Sequence, residues 1–318
     1  MRTEWGTLTL IAGCYGFWLA AGLLWSTPFW IIGLIALPVI AAFHTSLQHE
    51  TIHGHPTRWP LLNEALVSLP LAVVFPYQRY RELHLNHHRD EHLTDPFEDP
   101  ESYFWCESDV KRMNDFQRHI FALNNTFVGR LTIGPALTII GFARTEIARL
   151  RQDQPGVRRA WALHGIGLAA LIGIITLVLG IPLWVYLIFA VYPALSLTAM
   201  RAYAEHQAAE NVGARTAVVE AHPALALLYL NNNLHIVHHA SPRTPWYDLP
   251  ALYGERRQQY LAANENTLFL GYGDIARRFA FAVKQPVEHP YVRREIQQAE
   301  SGGHGMFPPN AGPSGQIG

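Results

Sequence analysis

Two stretches of the chain, Trp5 to His49 and Ala160 to Met200, contain no Asp, Glu, Lys or Arg. Each runs for about 40 residues, twice the ~20 that a helix needs to cross a bilayer core, so each predicts two spans joined by a tight turn. The spans fall at about 7–25, 29–49, 161–180 and 182–203 on that length argument. Ser26-Thr27-Pro28 and Gly180-Ile181-Pro182 supply the turns. Two weaker apolar stretches, Leu61 to Phe75 around Pro70 and Leu131 to Phe142 around Gly134-Pro135, are too short to span. They are expected at the membrane interface, as re-entrant pieces, or packed on the polar part of the protein. From Ser301 the chain turns Gly- and Pro-rich, which predicts a disordered tail over 301–318, with His304 idle in it. The pattern is that of an all-α integral membrane protein. It has one domain over 1–300, with four transmembrane helices in two hairpins and a helical domain on one side.

Charge fixes the expected orientation. Only 15% of the residues are charged and the net charge is −1. The 24 Lys and Arg residues sit at Arg2, between Arg58 and Arg159, or from Arg201 onward, so neither hairpin tip carries one. Positive-inside reasoning then puts both termini and the long central segment in the cytoplasm. Arg outnumbers Lys 22 to 2, which suggests a GC-rich bacterial genome and hence the bacterial inner membrane. A cleaved leader fits the first stretch poorly, since it is too long and lacks a strong basic n-region. Nothing in the composition calls for a nucleic-acid partner.

Histidine carries the chemistry. Nine of the 17 histidines fall into four groups: His49 and His53; His84, His87 and His88; His206, preceded by Glu205; and His235, His238 and His239. Span parity brings all four groups to one face of the membrane. A single metal ion seldom takes more than four to six protein ligands, so nine clustered imidazoles suggest two ions. On a helix His49 and His53 share a face, as i and i+4. His84 with His87, and His235 with His238, are i and i+3 and are expected to share an ion in the same way. His88 and His239 then point about 100° aside, toward a second ion. Cys14 lies in the first span and Cys106 on the cytoplasmic side, the two are too few for an iron–sulfur cluster, and no dinucleotide fingerprint or P-loop occurs. A redox enzyme of this kind takes its electrons from a separate protein.

The boxes HETIH at 49–53, HLNHH at 84–88 and HIVHH at 235–239 resemble those of the membrane fatty acid desaturase superfamily, which also holds carotenoid ketolases and hydroxylases. The resemblance covers about residues 30 to 250, and three ordered boxes around two membrane hairpins are highly specific. Glu205-His206 stands where such proteins carry an additional histidine, and Asn231-Asn232-Asn233 before the third box and Pro245-Trp246-Tyr247 after it are similar to bacterial members. The resemblance implies a cytoplasmic non-haem di-iron centre that uses O2, held by all nine histidines. It also implies an external ferredoxin- or cytochrome-type donor with its reductase, and a lipophilic substrate drawn from the membrane lipids. One departure is Ala202, where acyl-CoA desaturases carry a water-linked Asn; the second iron is then completed differently.

Such a centre suits unactivated methylenes, whose hydrogens no side-chain base can remove, whereas iron and O2 can make an oxidant that abstracts them. Loss of a second hydrogen gives an alkene and oxygen rebound gives an alcohol. The resemblance implies fatty acyl desaturation first, with hydroxylation or ketolation of a lipid, carotenoid or hydrocarbon as the alternative. An iron-binding or transport protein would want ligands within the spans, where only His44 and His164 lie. The first box also satisfies HExxH, the zinc-protease signature, in which Glu50 would activate water. That rival leaves the H-x-x-H-H groups without a role. In the favoured reading Glu50 and Glu205 orient ligating imidazoles.

The remaining residues are expected to be structural. His44, His55, His92, His119, His164, His222 and His289 are read as packed or hydrogen-bonded. The acidic run from Asp95 to Glu101 is read as a solvated loop, and Arg79, Arg81 and Arg243 as interfacial anchors, with head-group or redox-partner binding as the alternative.

Overall fold

The computed structural model describes residues 3–89 and 92–292; the tail expected over 301–318 lies outside them. Helix α1 (Trp5–Leu23) ends in a 3-10 turn at Leu24–Ser26 and is followed by α2 (Trp30–Ile52). Their hairpin closes at Thr27, whose N–H and Oγ1 both donate to Leu24 O, at 2.9 and 2.8 Å. The two helices approach closely at Gly33, where an added Cβ would lie 2.3 Å from Ala21 O.

The second hairpin pairs α9 (Val157–Gly173), extended by a π turn to Val178, with a helix that starts as α10 (Leu183–Tyr186), passes through a π turn, and ends as α11 (Tyr192–Glu205). Gly180 turns the chain with φ +67°, a left-handed conformation that favours glycine, and Pro182 precedes the next helix. Among the described residues these are the four helices long and apolar enough to cross a membrane. Their outward faces stay apolar: Phe17, Ile35, Ile166 and Leu177 are 66–86% exposed. An apolar surface of that kind is stable only against lipid, and the protein is a multi-pass membrane protein. Between the hairpins, Trp18 Nε1 donates to Tyr186 Oη at 3.1 Å, and that hydroxyl donates on to Leu71 O at 2.9 Å.

The remaining helices build a cap over one end of the bundle. They are α3 (Pro60–Leu66), α4 (Tyr77–His87), α5 (Glu107–Arg112), α6 (Asp115–Asn124), α7 (Phe127–Thr132) and α8 (Gly134–Arg151), followed after the fourth span by α12 (Pro223–Leu228), α13 (His235–Ala240), α14 (Leu249–Ala263) and α15 (Tyr272–Phe279). Two residue pairs, Val218–Val219 (β1) and Leu268–Phe269 (β2), form a minimal parallel sheet. The fold is thus mostly helical, as the uncharged runs predict. The weak apolar stretches at 61–75 and 131–142 become α3 with its following loop and the α7–α8 corner, where Pro135 opens α8.

Helix α4 bears the second histidine box and is pinned by a buried ion pair. Arg79 donates from Nε and Nη2 to the Glu146 carboxylate of α8 at 2.9–3.1 Å, and Trp161 Nε1 of α9 donates to the same carboxylate at 2.9 Å. Arg79 and Glu146 are each 1% exposed. The expected interfacial anchor is instead an internal brace, because Glu146, 67 residues away in sequence, folds back onto it.

Candidate metal centre

The nine histidines converge into two adjacent groups. His49, His53, His84, His88 and His238 form one, and His87, His206, His235 and His239 the other. Helix α2 supplies His49 and, at its C-cap, His53. Helix α4 supplies His84 and His87, with His88 as its C-cap, α13 supplies its three, and His206 caps α11 in an extended conformation.

The helical pairing differs from the expected one. His84 groups with His88 and His235 with His239, while the middle members, His87 and His238, cross to the opposite group. Residues at i and i+4 differ by only about 40° around the helix and residues at i and i+3 by about 60° in the other sense. With two groups lying side by side, that sign difference sends i+3 to the far one. The ring centroids agree: 4.6 Å for His84–His88 against 5.8 Å for His84–His87.

Hydrogen bonds at Nδ1 fix what the other ring nitrogen can do. His87 Nδ1 donates to Asp99 Oδ1 at 2.8 Å, His206 Nδ1 to Arg215 O at 3.2 Å, and His235 Nδ1 to Asn232 Oδ1 at 3.3 Å. In its neutral form each ring then presents a bare lone pair at Nε2. Yet His206 Nε2 lies 2.9 Å from both His87 Nε2 and His235 Nε2, and His239 Nε2 is 3.1 Å from His235 Nε2. Lone pairs at that distance repel unless a cation lies between them. In the five-membered group His84 donates from Nδ1 to Glu101 Oε1 at 2.9 Å, and its Nε2 stands 3.0 Å from Nε2 of His53 and of His88. His238 Nε2 is 3.0 Å from His88 Nε2, and His49 Nε2 is buried with no hydrogen-bond partner among the described residues.

These separations match neighbouring ligands at right angles around an ion, which for bonds of about 2.1 Å stand about 3.0 Å apart; tetrahedral bonds of that length would put them about 3.4 Å apart. The residues therefore fit two metal ions, one against five imidazoles and one against four. Five imidazoles also exceed the four ligands of a tetrahedral zinc site.

Burial holds most of the cluster neutral. The His206, His235, His238 and His239 imidazoles are pushed well below their usual range, first by desolvation and then by neighbouring imidazoles. His87 is the exception. Burial pulls it down, but Asp99 and Glu101 outweigh that and raise it to about 9 without a metal, so an ion bound at its Nε2 takes the place of a proton.

The chain belongs to the fatty acid desaturase family. Its family pattern matches residues 26–268, which takes in all three boxes and His206. No curated protein sequence matches the chain closely. Members of this family are generally membrane oxidoreductases of the desaturase and hydroxylase type and are typically iron-dependent, which agrees with a centre made of imidazoles.

The acidic loop departs from its expected role. Asp99 and Glu101 hold the Nδ1–H groups of His87 and His84, and Asp99 Oδ2 accepts from Thr94 N at 2.8 Å, so these two residues work inside the site. The sequence signal was their place 11 to 13 residues beyond the HLNHH box; alone it could not be told from an ordinary Pro-containing acidic turn.

Glu50 also departs from expectation. It lies on the face of α2 away from the boxes, accepts from Trp246 N at 3.0 Å, and stands 3.9 Å from His55 Nε2. His55 in turn pairs with Glu4 at 2.6 Å, so Glu50 ties the start of α1 and the loop at Trp246 together rather than orienting a box imidazole. Glu205 does approach the boxes: its Oε1 is 3.4 Å from His235 Nδ1, accepts from Asn232 Nδ2 at 2.9 Å, and is 2.9 Å from Arg201 Nε. The other histidines hold structural partners: His44 the Tyr15 hydroxyl, His164 the Val73 carbonyl, His289 the Thr94 hydroxyl.

Proposed function

We propose that this protein is a membrane-bound, O2-dependent di-iron oxidase of alkyl C–H bonds, acting as a desaturase of fatty acids or lipids. The observation that carries this reading is the convergence of bare Nε2 lone pairs, 2.9–3.1 Å apart, in two buried groups. Two irons there would bind and reduce O2 and so supply an oxidant able to abstract hydrogen from an unactivated methylene.

The chain's own residues do the rest. Asp99, Glu101, the Arg215 carbonyl and Asn232 hold the Nδ1–H groups, which fixes each imidazole in the tautomer that a metal needs. Arg201 beside Glu205 offsets part of the cost of burying that carboxylate next to His235. A cavity lined by Val73, Phe75, Phe142 and Leu195 meets the site at Glu101 and His206, offering an apolar chain a dry approach.

Hydroxylation or ketolation of a lipid, carotenoid or hydrocarbon is the second reading. It is favoured by Ala202, which stands in the cavity wall where acyl-CoA desaturases carry an Asn. The electron donor is a separate ferredoxin- or cytochrome-type protein with its reductase. The protein sits in the bacterial inner membrane with its termini and metal centre in the cytoplasm.

Metal analysis of the purified protein tests the centre: two irons per chain are expected, and one zinc without iron overturns the reading. Lipid profiling of a host that co-expresses a reductase partner tests the reaction. A new double bond supports desaturation and an added oxygen the alternative.

A further inference from the structure

The cavity beside the histidine groups has a volume of about 400 Å3, space for on the order of a dozen water-sized groups. Most of its wall is apolar, and its charged lining near the metal centre is already accounted for: Arg201 faces Glu205, and Glu101 accepts from His84. Arg130 of α7 is not. It lines the cavity, is 9% exposed, and donates from Nε to Asn124 O at 3.1 Å and from Nη2 to Asn125 Oδ1 at 3.2 Å.

Five N–H groups belong to a guanidinium, so three remain on the Nη1–Nη2 edge. Among the described residues no carboxylate pairs with it. Its neighbours are instead the rings of Tyr103 at 4.7 Å and Tyr203 at 5.7 Å, which hold a cation without neutralising it. Arg79, the buried guanidinium of α4, has its full carboxylate in Glu146.

A second group in the same wall also lacks a partner. Asn124 Oδ1 is buried with no hydrogen bond among the described residues, and a turn of the amide would present its N–H groups to an acceptor instead. The location ties both to the metal centre. Tyr103, which lies under the Arg130 guanidinium, donates its O–H to His206 O at 3.2 Å, so whatever Arg130 holds sits one tyrosine ring from a member of the four-histidine group.

We propose that Arg130, assisted by Asn124, anchors a carboxylate, and that the lipophile oxidised at this centre is a free acid held by its anionic end inside the cavity. This rests on the oxidase reading above and adds the substrate class to it. A carboxylate matches the planar fork of the open guanidinium edge, and enclosure by the Tyr103 and Tyr203 rings strengthens the pairing. An ester or a hydrocarbon of the same length fills the apolar wall and leaves the guanidinium as it is.

Binding of dodecanoate and of methyl dodecanoate to the full-length protein in lipid nanodiscs, followed by calorimetry, tests this. Dodecanoate is expected to bind at least about tenfold more tightly than the ester, as for a charge-assisted hydrogen-bond pair. Arg130→Gln should lower the affinity for the acid to that for the ester and leave the ester unchanged, while Arg130→Lys keeps part of the preference. Equal binding of acid and ester by the unaltered protein overturns the proposal, as does an Arg130→Gln variant that weakens both alike. The acid-to-ester comparison needs no variant, so the proposal stands or falls even where Arg130→Gln does not fold. Iron counted in the same samples separates the two readings: iron without acid preference sinks this inference alone, and acid preference without iron sinks the oxidase reading alone.

Discussion

His87 Nε2 and His206 Nε2 face each other at 2.9 Å, with Asp99 and the Arg215 carbonyl already holding the N–H on the far side of each ring. Two imidazoles so arranged need a cation between them. Asp99 is therefore as much a part of the centre as the histidine it orients. Asp99→Ala should weaken metal binding at the four-histidine group by about 10- to 100-fold, the range for partners that orient metal ligands. Iron titration against a competing chelator reads this, and unchanged affinity would remove Asp99 from the site.

The division of the boxes makes a second expectation. His238 belongs to the five-histidine group and His87 to the four-histidine group, although each lies in a box whose other two members go elsewhere. His238→Ala and His87→Ala should each lose one ion preferentially, leaving about one iron per chain, and each should abolish oxidation. Full activity in either variant would refute its place at the centre.

Acidity should act on the metal-free protein with a defined sign. His206, His235 and His239 are held below their usual value of 6.5, so as pH falls below that value the unfolded chain takes up protons that the folded one refuses. Stability then drops. His87, raised to about 9, acts oppositely: its contribution is complete below the unfolded value and is lost as pH rises through about 9. With several groups lowered against one raised, the apo protein should melt at lower temperature at pH 5 than at pH 7. A melting temperature that climbs on acidification would contradict this.

Glu50→Gln separates the di-metal centre from the zinc-protease alternative. As a protease base Glu50 would be indispensable; here it braces Trp246 N and His55. Iron content and oxidation should be retained, with a loss of stability of about 1–3 kcal/mol from the disturbed buried pair. Thermal unfolding beside metal analysis reads both, and loss of iron with folding intact would return Glu50 to the site.

Gly33 tests the first hairpin. An added Cβ would strike the Ala21 carbonyl at 2.3 Å, so Gly33→Val should force α1 and α2 apart and sharply lower the yield of folded protein, whereas Gly16→Ala, with open space around it, should be tolerated. Equal yields from the two variants would show that the close approach does not matter.

Much of this was legible in the chain. Uncharged runs at Trp5 to His49 and Ala160 to Met200 give the four spans, because lipid admits few other ways to satisfy backbone polar groups. Gly180 and Pro182 mark the second turn by their own dihedral limits, and the boxes announce a metal site by residue type. The roles of Asp99, Glu101 and Glu50 were not legible. A carboxylate has the same sequence signature whether it meets water, an imidazole or a backbone N–H, and Arg79 looks like an anchor until Glu146 folds onto it.

The sequence by itself determined the membrane hairpins, the nine histidines and the family, since hydrophobic run length and ligand type are local properties. Tertiary structure alone decided which histidines fall into one group, which acids hold their Nδ1–H groups, and that Arg130 meets the cavity with no carboxylate paired to it among the described residues. Those outcomes depend on distances between helices far apart in the chain, where a difference of about 100° around one helix decides which group a side chain joins.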